Sequence, residues 1–259
     1  MVRILAIVTL MLFLAGCGMS QGENSKIEKV PKFLEDIAYA HNLPYDCKVY
    51  INEGGAYIPY LVLSNNYNGN CLLLRENLLD DSYIFNNAVE KPAYYENSAI
   101  DRYLNESFIK IFSKDLQKII VESEIEITSK DSLGVGGTDT ITIKRNVFLL
   151  SFAEVNAGYS RTNLEEGTAL DYFADKNKRI ALYRDGTAGS WWLRTPNTSG
   201  RSIVCGVSKE GIVGIGGIYD PNIQDGYYNG VRPAFCLPND TKIERVTIDG
   251  VSILVINTS

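Results

Sequence analysis

The 259-residue chain holds one histidine, His41. A metal cluster built on imidazoles is thereby excluded, and a Ser/His/Asp relay would have to use His41 itself. Basic residues are outnumbered, 25 against 31 acidic, for a net charge of −6, and they form no cluster. Displacing counterions from a phosphate backbone needs clustered Lys and Arg, so nucleic acid is not an expected partner, and no basic face is offered to anionic lipid. The longest apolar run, from Ile4 to Ala15, is shorter than the ~20 residues a membrane-spanning helix requires. No repeat of fixed period and no low-complexity tract interrupts the chain. Gly134-Val-Gly-Gly137 lacks the Lys-Ser/Thr of a phosphate-binding loop and the spacing of a dinucleotide site.

The N-terminus has a short basic start, Met1-Val-Arg3, then the apolar run, then Gly16-Cys17. This is the layout of an export signal. Leu14-Ala-Gly-Cys17 resembles the bacterial lipobox. The resemblance implies that residues 1–16 are removed and that Cys17 carries lipid, which tethers by burying about 0.8 kcal/mol per CH₂. The plainer alternative is an ordinary signal peptide with an unrelated cysteine. The expected location is the bacterial cell membrane, lipid-anchored on its extracytoplasmic side, with the lipid as the only membrane contact. Residues 17–32 are polar and read as a flexible tether. What remains suits one domain of ordinary to large size.

Phe33, Leu34, Ile37 and Ala38 recur at helical spacing, and a helix is predicted over 33–46 with His41 as a capping or surface residue. Cys47–Ile51, Tyr57–Leu63 and Cys71–Leu74 read as an antiparallel meander turning at Gly54-Gly55 and at Asn65–Gly69. Ser98 with Asp101 forms a capping box ahead of Ile100, Tyr103, Leu104, Phe108, Ile111 and Phe112, and Ser113 begins a second helix. Val121–Thr128 alternates as an exposed strand with Glu122, Glu124 and Glu126 on one face. Those acids could bind a ligand, but a solvated edge that deters strand addition is the simpler reading. Val147–Leu150 is a buried strand, Ser151 and Glu154 form another capping box, and Thr168–Ala174 starts a further helix. Ser202–Val207 and Ile212–Ile218 are β-rich. Ile243–Ile256 alternates around Asp249-Gly250 and makes residues 239–259 a C-terminal hairpin. Four cysteines follow Cys17. Cys47–Cys71 and Cys205–Cys236 are the favoured disulfides, because each closes a local antiparallel unit. The alternative is four small buried apolar residues.

Two segments demand special residue types: Gly189-Ser-Trp-Trp-Leu-Arg-Thr-Pro196 and Gly230-Val-Arg-Pro-Ala-Phe235. Together with Tyr60–Leu63, Glu96–Asn105 and Val147–Ser151 they are similar to the DUF6273 family of bacterial domains, over roughly residues 47–238. Thr195 stands where Ser is usual and keeps the hydroxyl. The resemblance implies an α+β, C-type-lectin-like fold with a small twisted antiparallel sheet, two or more helices and long loops. It does not itself imply sugar or calcium binding.

Arg194, Pro196, Arg232 and Pro233 are expected to be framework, since guanidinium forks at strand ends tie loop carbonyls and carboxylates. If Trp191–Arg194 is a strand, one indole faces the core and the other faces outward or into a loop. The predicted ligand contacts are Trp191, Trp192, Asp220, Asn222, Asp225, Tyr227 and Tyr228. The aromatics would stack on a sugar or peptide. No cofactor is expected, although Asp220, Asn222 and Asp225 could offer oxygens to Ca²⁺. The plainer alternative is a polar turn of turn-forming residues. The function expected is a non-catalytic surface module recognising an envelope glycan or protein. The alternatives are an envelope enzyme, either a carboxylate hydrolase, for which no spacing distinguishes Glu165 or Glu166 from any other surface pair, or an oxidase like the formylglycine-generating relatives, and a structural assembly protein of the envelope.

Overall fold

The computed structural model describes residues 31–40, 46–86, 93–157, 166–198, 200, 203–213 and 229–258. The fold is α+β and mostly sheet. The strands are β1 Lys48–Glu53, β2 Ala56–Tyr67, β3 Asn70–Arg75, β4 Ser123–Thr128, β5 Thr140–Arg145, β6 Val147–Phe148, β7 Ala181–Leu182, β8 Ala188–Gly189, β9 Trp191–Pro196, β10 Val204–Val207, β11 Ala234–Leu237, β12 Ile243–Ile248 and β13 Val251–Ile256. The helices are short: α1 Ala99–Arg102 and α2 Lys114–Ile119. One seven-stranded sheet runs β12-β13-β1-β2-β3-β11-β6, and β4–β5, β7–β8 and β9–β10 form two-stranded ribbons.

The meander β1-β2-β3 follows from period-two apolar patterning. Val49 and Ile51 are buried while Lys48 and Tyr50 are half-buried. The second turn is tighter than the Asn65–Gly69 run predicts. β2 continues to Tyr67, and Asn68 (φ 50°) with Gly69 (φ 76°) makes the whole reversal. Asp249 (φ 50°) and Gly250 (φ 80°) turn the tail hairpin the same way. Asn-Gly and Asp-Gly tolerate two successive left-handed residues, and the resulting turn matches strand twist. The hairpin does more than finish the chain: β13 runs parallel to β1, with Tyr50 beside Val255. The sheet is therefore larger than expected and mixed. At its other side, β11 is inserted between β3 and β6.

The helix predicted over 33–46 is replaced by one 3₁₀ turn, Leu34–Ile37, within the described residues; His41 lies outside them. Backbone pairing wins over periodicity here. Leu34 N donates to Thr241 O at 2.9 Å and Tyr39 N donates to Val62 O at 2.8 Å, which pins the segment to the turn before β12 on one side and to β2 on the other. The Ser98 cap is made, with Ser98 Oγ accepting from Asp101 N at 3.2 Å. Beyond it the run from α1 changes to a π turn at Tyr103–Ser107 and a 3₁₀ turn at Phe108–Ile111. Ile100, Leu104, Phe108 and Phe112 nonetheless all face the core. Asn105 fixes this register: its amide donates to Val147 O at 2.9 Å and accepts from Val147 N at 3.1 Å, gripping β6. Ser113 caps α2 through Leu116 N at 3.1 Å. Glu122, just before β4, and Glu124 and Glu126 within it are exposed, and Ser123, Ile125 and Ile127 are buried.

The expected disulfides are absent: Cys47, Cys71, Cys205 and Cys236 are free, buried thiols. The topology explains it. Cys47 leads into β1 and Cys71 lies on β3, with β2 between them. Two strand spacings are about 10 Å, beyond the reach of a disulfide. Cys205 is on the β9–β10 ribbon and Cys236 is inside the main sheet. Burial pushes the Cys47 thiol up to about 11 and those of Cys71 and Cys236 up to about 12. A Cys17→Ser protein unfolded without reductant should therefore take up four alkyl groups, and the native protein none over the same interval. A mass short by two groups would show that one of the expected bridges exists.

Candidate functional site

The residues singled out in β9 are wholly interior. Every side chain from Trp191 to Pro196 is buried. Arg194 is fully buried and spends all five of its donors. Nε donates to Glu126 O at 3.0 Å. Nη1 donates to Leu149 O at 2.9 Å and to Glu154 Oε2 at 2.7 Å. Nη2 donates to Glu154 Oε1 at 2.8 Å and to Glu166 O at 3.1 Å. This fork-to-fork pairing is the geometry that makes a buried guanidinium tolerable. Burial works against the Arg194 charge, but Glu154, Tyr67 and Glu166 outweigh it and push its pKa up.

Glu154 reaches Arg194 because Ser151 presents it. Ser151 Oγ accepts from Glu154 N at 3.0 Å and Ser151 N donates to Glu154 Oε2 at 2.8 Å, a complete capping box. No helix follows; residues 152–156 are turns, and the carboxylate turns inward to the arginine. Tyr67 at the end of β2 donates its hydroxyl to Glu154 Oε1 at 2.7 Å.

Glu166 is a second buried carboxylate in the same network. Its Oε1 accepts from Thr128 N at 2.5 Å and from Thr128 Oγ1 at 2.6 Å, and its Oε2 accepts from the Thr195 hydroxyl. Thr195 Oγ1 in turn accepts from Phe152 N at 2.8 Å. The hydroxyl at position 195 is thus a relay between two segments, which either Ser or Thr supplies. Arg194 contacts only the backbone oxygen of Glu166, and its charge is committed to Glu154. Burial consequently raises the Glu166 pKa, against the opposing pull of Arg194, Thr128 and Thr195. Gly167 has φ +95°, and a Cβ there would stand 2.7 Å from Glu154 Oε1, so only glycine lets the chain pass over the pair.

Trp191 and Trp192 need correcting as contact residues, because neither faces outward; they are 0% and 1% exposed. β9 is covered on both sides. Trp191 Nε1 donates to Arg179 O at 3.0 Å and Trp192 Nε1 to Tyr83 O at 2.7 Å, and Phe85 meets Trp192 edge-on. Arg232 lies over the Trp191 ring at 5.0 Å and donates from Nε to Arg75 O at 3.1 Å. Burial lowers its pKa to about 10, opposed by Tyr172 and Glu76. Pro233 O accepts from Arg75 N at 2.9 Å, and Pro196 is paired with Val204. Arg75, buried itself, forks onto Glu53, which also takes the Tyr60 hydroxyl. Asp220, Asn222, Asp225, Tyr227, Tyr228 and Cys17 lie outside the described residues. Among the described residues, no group of three or more His, Cys, Asp or Glu is placed to hold a metal ion.

What the structure does bring together is a polar cleft of about 420 Å³ above the network. One wall is the β2–β3 turn (Asn66, Tyr67, Asn68), one is the β4–β5 ribbon (Glu124, Glu126, Thr142), and one is Gly167–Leu170. Asn68 Nδ2 donates to Glu124 O at 2.6 Å and Gly167 N to Glu126 Oε2 at 3.1 Å, closing the corners. Tyr67 is shared between the cleft and the buried pair. Periodicity marks the outward Glu face of β4, but nothing local in the sequence pairs it with Asn66, Thr142 or Thr168. Those walls meet only through the fold.

A family model for a domain of unknown function, DUF6273, matches residues 68–239, more than half of the chain, and the chain belongs to that family. The Arg194, Glu154, Glu166 and Arg232 positions and the Glu96–Asn105 helix start fall inside the match; Tyr60–Leu63 precedes it. No curated protein and no solved structure matches the chain.

The Glu166 environment fixes the sign of a pH effect. A carboxylate whose folded pKa is raised contributes stability that is complete below its unfolded pKa and is lost as pH rises through the folded one. Unfolding free energy should therefore fall as pH rises from the ordinary carboxylate value of 4.5 through the raised one. Glu166→Gln, which keeps the shape and carries no charge, should remove that part of the slope in denaturant titrations. Identical slopes in the two proteins would contradict the assignment.

Proposed function

We propose that this DUF6273 protein is a lipid-anchored, extracytoplasmic binding module, non-catalytic and C-type-lectin-like in its fold, that recognises an envelope glycan or protein. The cleft over Tyr67 is the observation that carries the reading. It is open, walled by three segments distant in sequence, and lined by the amides, hydroxyls and carboxylates that recognise a hydroxyl-rich ligand. Its support is rigid, because Glu154, Arg194 and Glu166 are each committed to several framework bonds. Asp220, Asn222, Asp225, Tyr227 and Tyr228 remain proposed contacts, and Ca²⁺ remains the ion their oxygens would suit. Trp191 and Trp192 pass to the framework.

Two observations favour binding over the enzyme readings. The buried carboxylates of Glu154 and Glu166, which already accept four and three hydrogen bonds, lack a face toward substrate. A thiol oxidase needs accessible thiolates, whereas burial raises the pKa of Cys205 and Cys236, which sit in different sheets.

The test is a pull-down from detergent-solubilised envelope with the folded protein, with and without EDTA, scored for glycan and protein. Thr142→Arg, at an exposed position in the cleft wall, should cut retention by about tenfold, equivalent to ~1.4 kcal/mol, at an unchanged melting temperature. Retention equal to wild type would place the binding surface elsewhere, and turnover of a wall polymer would make the protein an enzyme. Tethering is scored separately: Cys17→Ser should move the protein from the membrane fraction to the medium.

A further inference from the structure

The β12 end of the main sheet has two unlike faces. Val49, Ile51, Ile58, Leu254 and Ile256 belong to the core side. The register places the alternate residues on the outer side: Tyr50 beside Val255, Val246 opposite Ile253 and Ile248 opposite Val251. Val251 is 61% exposed, and Val246, Ile248 and Ile253 are half-buried without packing on the core. Five β-branched apolar side chains thus share the outer face of one hairpin; Val255 is buried, and the other four reach the surface. Lys48 and Glu244 share the face with opposite charges, so its attraction is apolar rather than electrostatic.

The chain enters the fold beside this hairpin. Ile243 N donates to Lys32 O at 2.9 Å and Phe33 bridges Lys242. Only residues 17–31 separate Cys17 from that point. A chain of that length extends at most about 50 Å. A strand of β12's length is itself about 20 Å long. The β6 edge, six strand spacings away in the sheet order, is about 30 Å farther from the entry point. A lipid on Cys17 would therefore tether the fold through its β12–β13 edge.

We propose that the outer face of the β12–β13 hairpin, formed by Val246, Ile248, Val251 and Ile253, docks on the bilayer that holds the chain's own N-terminal lipid. The proposal rests on the lipid-anchor reading and extends it, since the lipid then fixes an orientation as well as a location. With this edge against the membrane, the protein is held flat at its surface by two contacts instead of swinging on its tether.

The test uses the mature chain from Cys17, coupled through that thiol to a maleimide phospholipid in vesicles of phosphatidylethanolamine and phosphatidylglycerol. The other four thiols are buried, so coupling falls on Cys17. Amides of residues 244–254 should exchange with solvent about fivefold more slowly on the vesicles than in the uncoupled protein, with those of α2 unchanged. Val251→Asp with Ile253→Asn should remove the difference while the protein stays coupled and folded. Equal exchange in coupled and uncoupled protein overturns the proposal. So does slowing that follows protein concentration without vesicles, which would make the face a contact with a second copy. Chemical coupling bypasses natural lipidation, so a failed docking result is distinct from a failed anchor, which the Cys17→Ser fractionation reads.

Discussion

The structure depends on the satisfaction of one buried guanidinium. Arg194 has no exposure, and a charge in that position is tolerable only if its donors are filled. Filling them requires Glu126 of β4, the segment from Leu149 to Glu154, and Glu166 to arrive together. Those partners lie 28 to 68 residues away in sequence. The arginine is therefore a joint that admits one arrangement of three segments. The glycine at 167 and the hydroxyl at 195 both sit where this arrangement leaves little freedom. The cleft inherits its shape from the same joint, because Tyr67 in one wall donates to Glu154 and Gly167 in another passes where a Cβ would strike it.

Around the joint, sheet and ribbons divide the labour. The central strands carry apolar runs buried on both faces: Tyr60–Leu63 of β2, Cys71–Leu74 of β3 and Ala234–Leu237 of β11. The outer strands β4 and β12 carry the alternating pattern of one-sided burial. Tyr60, Phe112 and Phe235 meet edge-to-face between the sheet and the end of the α1 helical run, at centroid distances of 5.3 to 6.3 Å. Arg75 with Glu53 and Tyr60 is a second polar joint, smaller than the first, and it locks β1 to β3. Arg232 rests on Trp191 and on the backbone of Arg75, so the two joints are linked through the paired Trp and Arg motifs.

What could be read in the sequence was local. The Ser98 and Ser113 caps, the Asp249-Gly250 turn and the alternation of Ser123–Thr128 each depend on residues within one turn or one strand. Arg194 and Arg232 were read as framework because guanidinium forks at strand ends can tie loop carbonyls and carboxylates. The rest depended on long-range pairing. The parallel seat of β13 on β1 and the place of β11 between β3 and β6 have no local signature. The burial of both Trp191 and Trp192 reverses the alternation rule, since β9 has no solvent face. Ser151–Glu154 has the spacing of a helix start, and its carboxylate does cap Ser151. The deeper demand on Glu154 comes from Arg194, 40 residues on.

The most direct measurement is a double-mutant cycle on unfolding free energy with Arg194→Met, Glu154→Gln and the pair. If the buried ion pair is the joint, each single change should cost about 3–5 kcal/mol. The double variant should cost less than the sum, with a coupling of up to about 3 kcal/mol. Small, additive losses would show that the sheet assembles without the pair, and the account of how the three segments are held would be wrong.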